Sequence, residues 1–75
     1  EVNIFTETEI SDFAISRFAY YPHQIKIIEN GIDAQVLESR FAGNHYWNKL
    51  KLENKEIIIY TDHKIEGNIK ISFNK

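Results

Sequence analysis

Apolar and polar residues alternate over residues 31–52, with one interruption at Gly43 and Asn44. Alternation with a period of two is typical of a β-strand that buries one face. Glycine and asparagine tolerate the positive φ angles that a reversing chain needs. We therefore predict a β-hairpin with arms long enough to bend, as the strands of a small barrel do. One face carries Ile32, Ala34, Val36, Tyr46, Asn48, Leu50 and Leu52, and the opposite face of the second arm carries Trp47, Lys49 and Lys51.

The chain before this hairpin begins with a short β-rich run at residues 2–6, which predicts an edge strand. Thr6 and Glu9 have the spacing of a capping box, so a helical turn is predicted over residues 7–11. Residues 13–18 fit both a helix and a broken strand, and we favour extended chain there.

Further signals divide the remaining chain into strands. Pro22 disfavours a helical conformation for the residue before it and predicts the start of a strand over residues 24–28. The pair Asn30-Gly31 predicts a hairpin turn after that strand. Residues 57–60 are apolar on both faces, which predicts a central strand covered on both sides, or one that meets a partner. A last strand is predicted where Ile69, Ile71 and Phe73 alternate with Lys70 and Ser72.

These patterns together predict about five main strands and little helix. Antiparallel sheets of this size usually avoid exposed edges by curling into a barrel. We therefore predict an all-β fold, namely a small OB-like antiparallel β-barrel forming one domain over residues 1–75, with an SH3-like barrel as the alternative. The buried core is expected at Ile25, Ile27, Ala34, Val36, Leu50, Leu52, Ile57, Ile59, Ile69 and Ile71.

The composition restricts the classes of function. A chain of 75 residues buries a thin core and should be marginally stable. It has no cysteine, which excludes disulfides, a thiolate nucleophile and zinc sites of the cysteine type. No run approaches the roughly 18 apolar residues of a membrane span. A net charge of −2 argues against binding to phosphate backbones. Because the chain starts at Glu1 and has no methionine, we expect it to be a piece of a longer protein.

No catalytic, cofactor-binding or metal-binding residue is predicted. His23, His45 and His63 lie on three separate elements and lack the close spacing that positions metal ligands. Asp62 and His63 near Ser72 lack the nucleophile elbow that a hydrolase of this type needs. The three glycines are too few for a phosphate-binding loop.

An aromatic and basic strand face suggests an alternative function. Trp47, Lys49 and Lys51 share one face, with Arg40 expected opposite them. OB-fold strands hold single-stranded nucleic acid by stacking bases on aromatic rings and by contacting phosphates with basic side chains. A free-standing OB-fold domain that binds single-stranded nucleic acid is therefore the second hypothesis.

Three segments resemble a known family. Residues 20–27 resemble a strand of that family with the pattern Arg-Pro-(Glu/His)-(Asp/His)-Ile-x-(Ile/Leu). Residues 31–52 are similar to a longer segment of the family, in which a glycine is followed by a strand, by the pattern (Arg/Ser)-Phe-Leu-Gly-x-x-(Tyr/Thr) and by a second strand. Residues 1–5 resemble the passage Gly-(Glu/Asp)-x-Asn-x-(Phe/Ile/Leu). The family is the transport-associated OB (TOBE) domain at the C-terminus of the ATP-binding subunits of ABC importers for ferric iron, sulfate, polyamines and sugars. Tyr21 replaces the usual arginine and Ala42 a common leucine, and the oxyanion-binding patterns of the molybdate relatives are absent.

The resemblance implies a non-catalytic accessory or regulatory domain. It would stabilise or regulate the ATPase dimer during solute import, and ATP and magnesium would bind in the parent chain outside these residues. The implied partners are the parent ATPase domain, possibly a second copy of the barrel, and membrane permease subunits reached through the parent chain. Neither nucleic acid nor direct membrane insertion is implied. The implied location is cytoplasmic, at the inner face of the cell membrane.

The apolar residues that a small barrel cannot cover are expected to form the interface. A barrel this small buries only its interior face, and exposed apolar area usually marks a contact with another protein. Aromatic residues are favoured at the centres of such contacts. The predicted interface residues are Tyr46, Trp47, Ile58 and Tyr60.

Overall fold

Strands make up most of the computed structural model, which describes residues 1–73. All strand pairs are antiparallel, and the strands form a two-stranded sheet, β1-β2, and a four-stranded sheet in the order β5-β4-β3-β6. The predicted all-β fold is confirmed. The elements are β1 (Asn3–Ile4), α1 (Glu7–Phe13), β2 (Ala19–Tyr20), a 3₁₀ turn (Pro22–Gln24), β3 (Ile25–Phe41), β4 (Tyr46–Leu52), β5 (Lys55–Thr61) and β6 (Asn68–Phe73).

The long hairpin predicted over residues 31–52 is confirmed. β3 pairs with β4, and the chain reverses between them where Gly43 has a φ of 102°. The Ala42 amide donates a hydrogen bond to the carbonyl of His45, at 2.8 Å, and closes this turn. Leu50 and Leu52 on the inner face of β4 are fully buried, as the period-two pattern predicted.

The turn predicted at Asn30-Gly31 is wrong. β3 continues through these residues as one strand, and residues 28–31 form a bulge, so that Ile27 and Ile32 both lie opposite Ile71 of β6. A Cβ atom at Gly31 would collide with the carbonyl oxygen of Ile71. Glycine is required here by the close approach of another strand and not by a hairpin turn.

The prediction that residues 57–60 form a central strand is also wrong. β5 lies at the edge of the four-stranded sheet. Its free edge is covered by Asn3, whose side-chain amide accepts a hydrogen bond from the Ile58 amide at 2.7 Å and donates one to the Ile58 carbonyl at 2.8 Å. One buried side chain therefore supplies two bonds that a neighbouring strand would otherwise make.

Side chains join the two sheets around a common core. β5 and β6 are the two edge strands of the four-stranded sheet, and within residues 1–73 they do not pair with each other. The strand pairing therefore does not show the closed barrel that was predicted. Aromatic rings pack between the sheets instead: Tyr20 lies 4.9 Å from Phe73, and Phe5 lies 5.4 Å from Phe73 and 5.9 Å from Tyr20, measured between ring centres. Phe13 of α1 contacts Phe5 at 6.3 Å.

The helix follows its predicted start and extends beyond its predicted end. The Glu9 amide donates to the Thr6 hydroxyl at 3.2 Å, and the Thr6 amide donates to the Glu9 carboxylate at 2.9 Å, which is the predicted capping box. The helix runs to Phe13 and ends where Ala14 adopts a left-handed conformation, with a φ of 55°. Phe13 belongs to the core, and its burial accounts for the two additional helical residues.

The predicted core is largely confirmed. Val36 and Ile69 are partly buried and pack against the core, whereas Ile27 is 39% exposed because it borders the bulge in β3. The prediction missed Phe5, Phe13, Tyr20, Ile65 and Phe73, most of which pack between the two sheets. The predicted residues that are buried are Ile25, Ala34, Leu50, Leu52, Ile57, Ile59 and Ile71.

Replacement of Leu50 by alanine should destabilise the protein severely. The side chain is fully buried in the core, and truncations of this kind cost about 2–5 kcal/mol. The matched control is Leu37→Ala, because the Leu37 side chain is 43% exposed and should cost well under about 2 kcal/mol. Urea denaturation of the two variants gives the comparison. Equal stability of Leu50→Ala and the parent chain would show that Leu50 is not a core residue.

Candidate functional site

Three of the four predicted interface residues lie together on the outer face of the four-stranded sheet. Trp47 of β4 is directly opposite Tyr60 of β5, and Ile58 lies one step further along β5 on the same face. Each of these side chains is half-buried. Tyr46 lies on the opposite face of β4 and packs against Phe41, with 5.3 Å between the ring centres. The predicted set is therefore divided between the two faces.

Trp47 is held by charged neighbours. The guanidinium carbon of Arg40 lies 4.3 Å from the centre of the indole, and the indole Nε1 donates to the Glu1 carboxylate at 2.7 Å. Arg40 also pairs with Glu38 at 3.1 Å. The Arg40 guanidinium therefore covers one face of the indole, and the Glu38 carboxylate offsets its charge.

A groove of about 400 Å³ opens at one end of the four-stranded sheet. β4 begins there and its antiparallel neighbour β5 ends there, so His45 and His63 line the same groove although they lie on separate elements. His23 is not among the lining residues. Antiparallel pairing of β4 with β5 places the start of β4 beside the end of β5, so the proximity of His45 and His63 could have been predicted from the order of these strands. The groove is lined by Ile25, Lys26, Ile27, Asn44, His45, Tyr60, Thr61, Asp62 and His63.

A buried hydrogen-bond network fixes the wall of this groove. Asn48 is fully buried; its side-chain oxygen accepts from the Ser39 hydroxyl at 2.5 Å, and its nitrogen donates to the Thr61 hydroxyl at 3.0 Å. The Thr61 hydroxyl donates in turn to the carbonyl of His63, at 2.6 Å. The Ile65 amide donates to the Ser39 hydroxyl at 3.2 Å. These bonds hold the segment after β5 against the sheet.

Both imidazoles of the groove are oriented by an oxygen atom of the preceding residue. His45 Nδ1 lies 2.5 Å from the side-chain oxygen of Asn44, and His63 Nδ1 lies 2.7 Å from the Asp62 carboxylate. The His45 ring also contacts the Tyr60 ring, at 4.2 Å between centres. The hydrogen bond with His63, together with the charge of the imidazole, holds the pKa of Asp62 below its usual range. Within residues 1–73 the hydrogen bonds of both rings are made through Nδ1.

The described residues contain neither a metal cluster nor a membrane-spanning helix. No group of three or more histidine, cysteine, aspartate or glutamate side chains in residues 1–73 is arranged to hold a metal ion. Over the same residues, no helix has the length and apolar character needed to cross a membrane. Ser72, considered above with Asp62 and His63, lies opposite Lys26 in the β3–β6 register and does not line the groove.

Comparison with known proteins finds no relative of this chain. No protein-family model, no curated protein and no solved structure matches it. Its function has to be inferred from its residues and from the contacts they make.

The contact between Asp62 and His63 should make stability depend on pH in the acid range. The pKa of Asp62 is lower in the folded chain than in the unfolded chain. The contact therefore stabilises the fold at pH values above the pKa that Asp62 has when unfolded, and this stabilisation is lost as the pH falls through the pKa that Asp62 has when folded. Nuclear magnetic resonance (NMR) titration of the carboxyl carbon measures this pKa directly. We expect His63→Gln to raise it and His23→Gln to leave it unchanged. An unchanged pKa of Asp62 in His63→Gln would contradict the assigned cause.

Proposed function

We propose that the chain is a non-catalytic accessory domain of the ATP-binding subunit of an ABC importer, similar to the TOBE domain. The observation that carries this proposal is the set of three motifs at residues 1–5, 20–27 and 31–52, in the order and at the spacing of that family. The domain would stabilise or regulate the ATPase dimer at the cytoplasmic face of the membrane. ATP and magnesium would bind to the parent chain, which would also contact the permease subunits.

The structural roles of the motif residues support the proposal. The asparagine of the first motif, Asn3, covers the edge of β5. The proline of the second motif, Pro22, is buried and begins the turn that leads into β3. The glycine of the third, Gly43, has the positive φ of the β3–β4 turn.

Exposed apolar side chains provide a surface for the parent domain. Asn3 and Tyr20 of the two-stranded sheet and the adjoining Phe5 are buried, whereas Ile4 is 57% exposed. Tyr21, at the position where the family has arginine, is 55% exposed. Such residues commonly mark contacts between proteins or domains. We propose that this surface, together with Trp47, Ile58 and Tyr60, contacts the ATPase domain or a second copy of the domain.

The pairing of charges on the outer face of the four-stranded sheet favours this role over binding of nucleic acid. Arg40 pairs with Glu38 and Lys49 pairs with Glu56 at 3.8 Å, which leaves Lys51 as the basic residue of this set without an ion-pair partner within residues 1–73. Binding of single strands depends on free cations beside exposed aromatic faces. Since Arg40 covers one face of Trp47, that face is not open for stacking with a base.

The coding sequence upstream of Glu1 gives the most direct test of the proposed function. We expect it to encode an ATPase domain with the phosphate-binding loop Gly-x-x-x-x-Gly-Lys-(Ser/Thr), whose backbone amides hold the nucleotide phosphates. An unrelated upstream domain would refute the proposal.

Fluorescence of Trp47 tests the alternative function, because it is the sole tryptophan of the chain. Single-stranded DNA added at low salt, where phosphate-driven binding is strongest, should leave the emission unchanged. Quenching that disappears on addition of salt would favour the nucleic-acid hypothesis instead. Arg40→Gln, which removes the cation from the indole face, serves as the control that Trp47 emission responds to its surroundings.

A further inference from the structure

The groove at the end of the sheet contains a cation without an ion-pair partner. Lys26 lines the groove, and within residues 1–73 no carboxylate lies within ion-pair distance of it. Asp62, the carboxylate among the lining residues, is engaged with His63. The charge of Lys26 is therefore open to an anion from solution. Lys49, Lys55 and Lys70 are paired with Glu56, Glu9 and Asp33, whereas Lys51 and Lys64 lie outside the groove and also have no ion-pair partner within residues 1–73.

Beside this cation the groove has an apolar and aromatic surface. Ile27, which is 39% exposed, lines the groove together with His45 and Tyr60, whose rings contact each other. An aromatic or heterocyclic body can pack on such rings and on an aliphatic side chain. Ligand sites typically combine an apolar lining with a few placed polar groups, as this groove does.

The wall of the groove is positioned before any ligand binds. Thr61 lies between the buried Asn48 amide and the His63 carbonyl, so the backbone at His63 is fixed by a bond from within the sheet. His45 is fixed on the other side by Asn44 and by the ring of Tyr60. Binding then requires little ordering of the protein, which favours affinity for a small molecule.

We propose that this groove binds a small planar organic anion, with its aromatic body on Ile27, His45 and Tyr60 and its carboxylate on Lys26. The inference goes beyond the accessory role proposed above and does not depend on it. Tyr60 belongs to both proposed surfaces, and the titration below uses the isolated chain, in which no partner covers this ring. An inorganic anion lacks the apolar body and would meet a single exposed cation without a phosphate-binding loop. Sulfate should therefore not bind.

NMR titration of the isotopically labelled chain with indole-3-acetate tests the proposal. We expect saturable shifts at the amides of the groove residues, with a dissociation constant on the order of 1 mM for a probe of this size. The neutral isostere indole-3-acetamide should bind at least roughly threefold more weakly, because it lacks the charge that meets Lys26. Shifts centred elsewhere, equal binding of acid and amide, or no saturation by about 10 mM would overturn the proposal.

Two lysine variants locate the anion. Lys26→Gln should bind the acid no better than the amide, whereas Lys51→Gln should bind both as the parent does. Lys51 is the matched control because it is exposed, lacks an ion-pair partner within residues 1–73 and lies outside the groove. An unchanged preference for the acid in Lys26→Gln would overturn the assignment of the anion to this lysine. The comparison of acid and amide on the parent chain needs no variant, so a failure of Lys26→Gln to fold leaves the proposal testable.

Discussion

The buried side chain of Asn48 is the constraint on which the end of the sheet depends. An amide without partners in that position would cost roughly 1–3 kcal/mol for each unsatisfied group. In this fold its oxygen accepts from Ser39, and the two hydrogens of its nitrogen are shared among the Thr61 hydroxyl and the carbonyls of Ile59 and Tyr46. The amide is satisfied only when β3, β4 and β5 are assembled around it. It therefore specifies the arrangement of the strands as well as stabilising it.

A second asparagine acts on the other side of β5. Asn3 covers the edge of that strand at Ile58, so β5 lies between two side-chain amides, one from β1 and one from β4. An uncovered edge strand invites pairing with another chain. Because Asn3 occupies part of this edge, a partner of the domain is better accommodated on its apolar faces than by addition of a strand.

The regular strands could be predicted from the sequence because their alternation is local. β4 and β6 have the predicted faces, and the Gly43 turn lies where glycine and asparagine interrupt the pattern. The bulge at residues 28–31 could not be predicted, since Asn-Gly suits a hairpin turn equally well and only the approach of β6 decides between them. Phe5 and Tyr20 were missed for a related reason: their burial comes from contacts with distant parts of the chain.

The candidate site was predictable only in part. Ile58 and Tyr60 were predicted as apolar residues that a small barrel cannot cover, but only the pairing of β4 with β5 places them on one face with Trp47. The groove was missed because each histidine was judged by its spacing along the chain. Their proximity depends on the end of β5 lying beside the start of β4, and on the Asn48 network that holds the segment after β5.

Hydrogen exchange of the Ile65 amide in Thr61→Val tests most directly whether the buried network holds this segment. Valine keeps the shape of threonine but removes the hydroxyl that joins Asn48 to His63. The Ile65 amide, which donates to Ser39, should then exchange faster by up to about tenfold, while the amides of β4 keep the exchange rates of the parent chain. Unchanged exchange at Ile65, or equal acceleration throughout the sheet, would contradict the account.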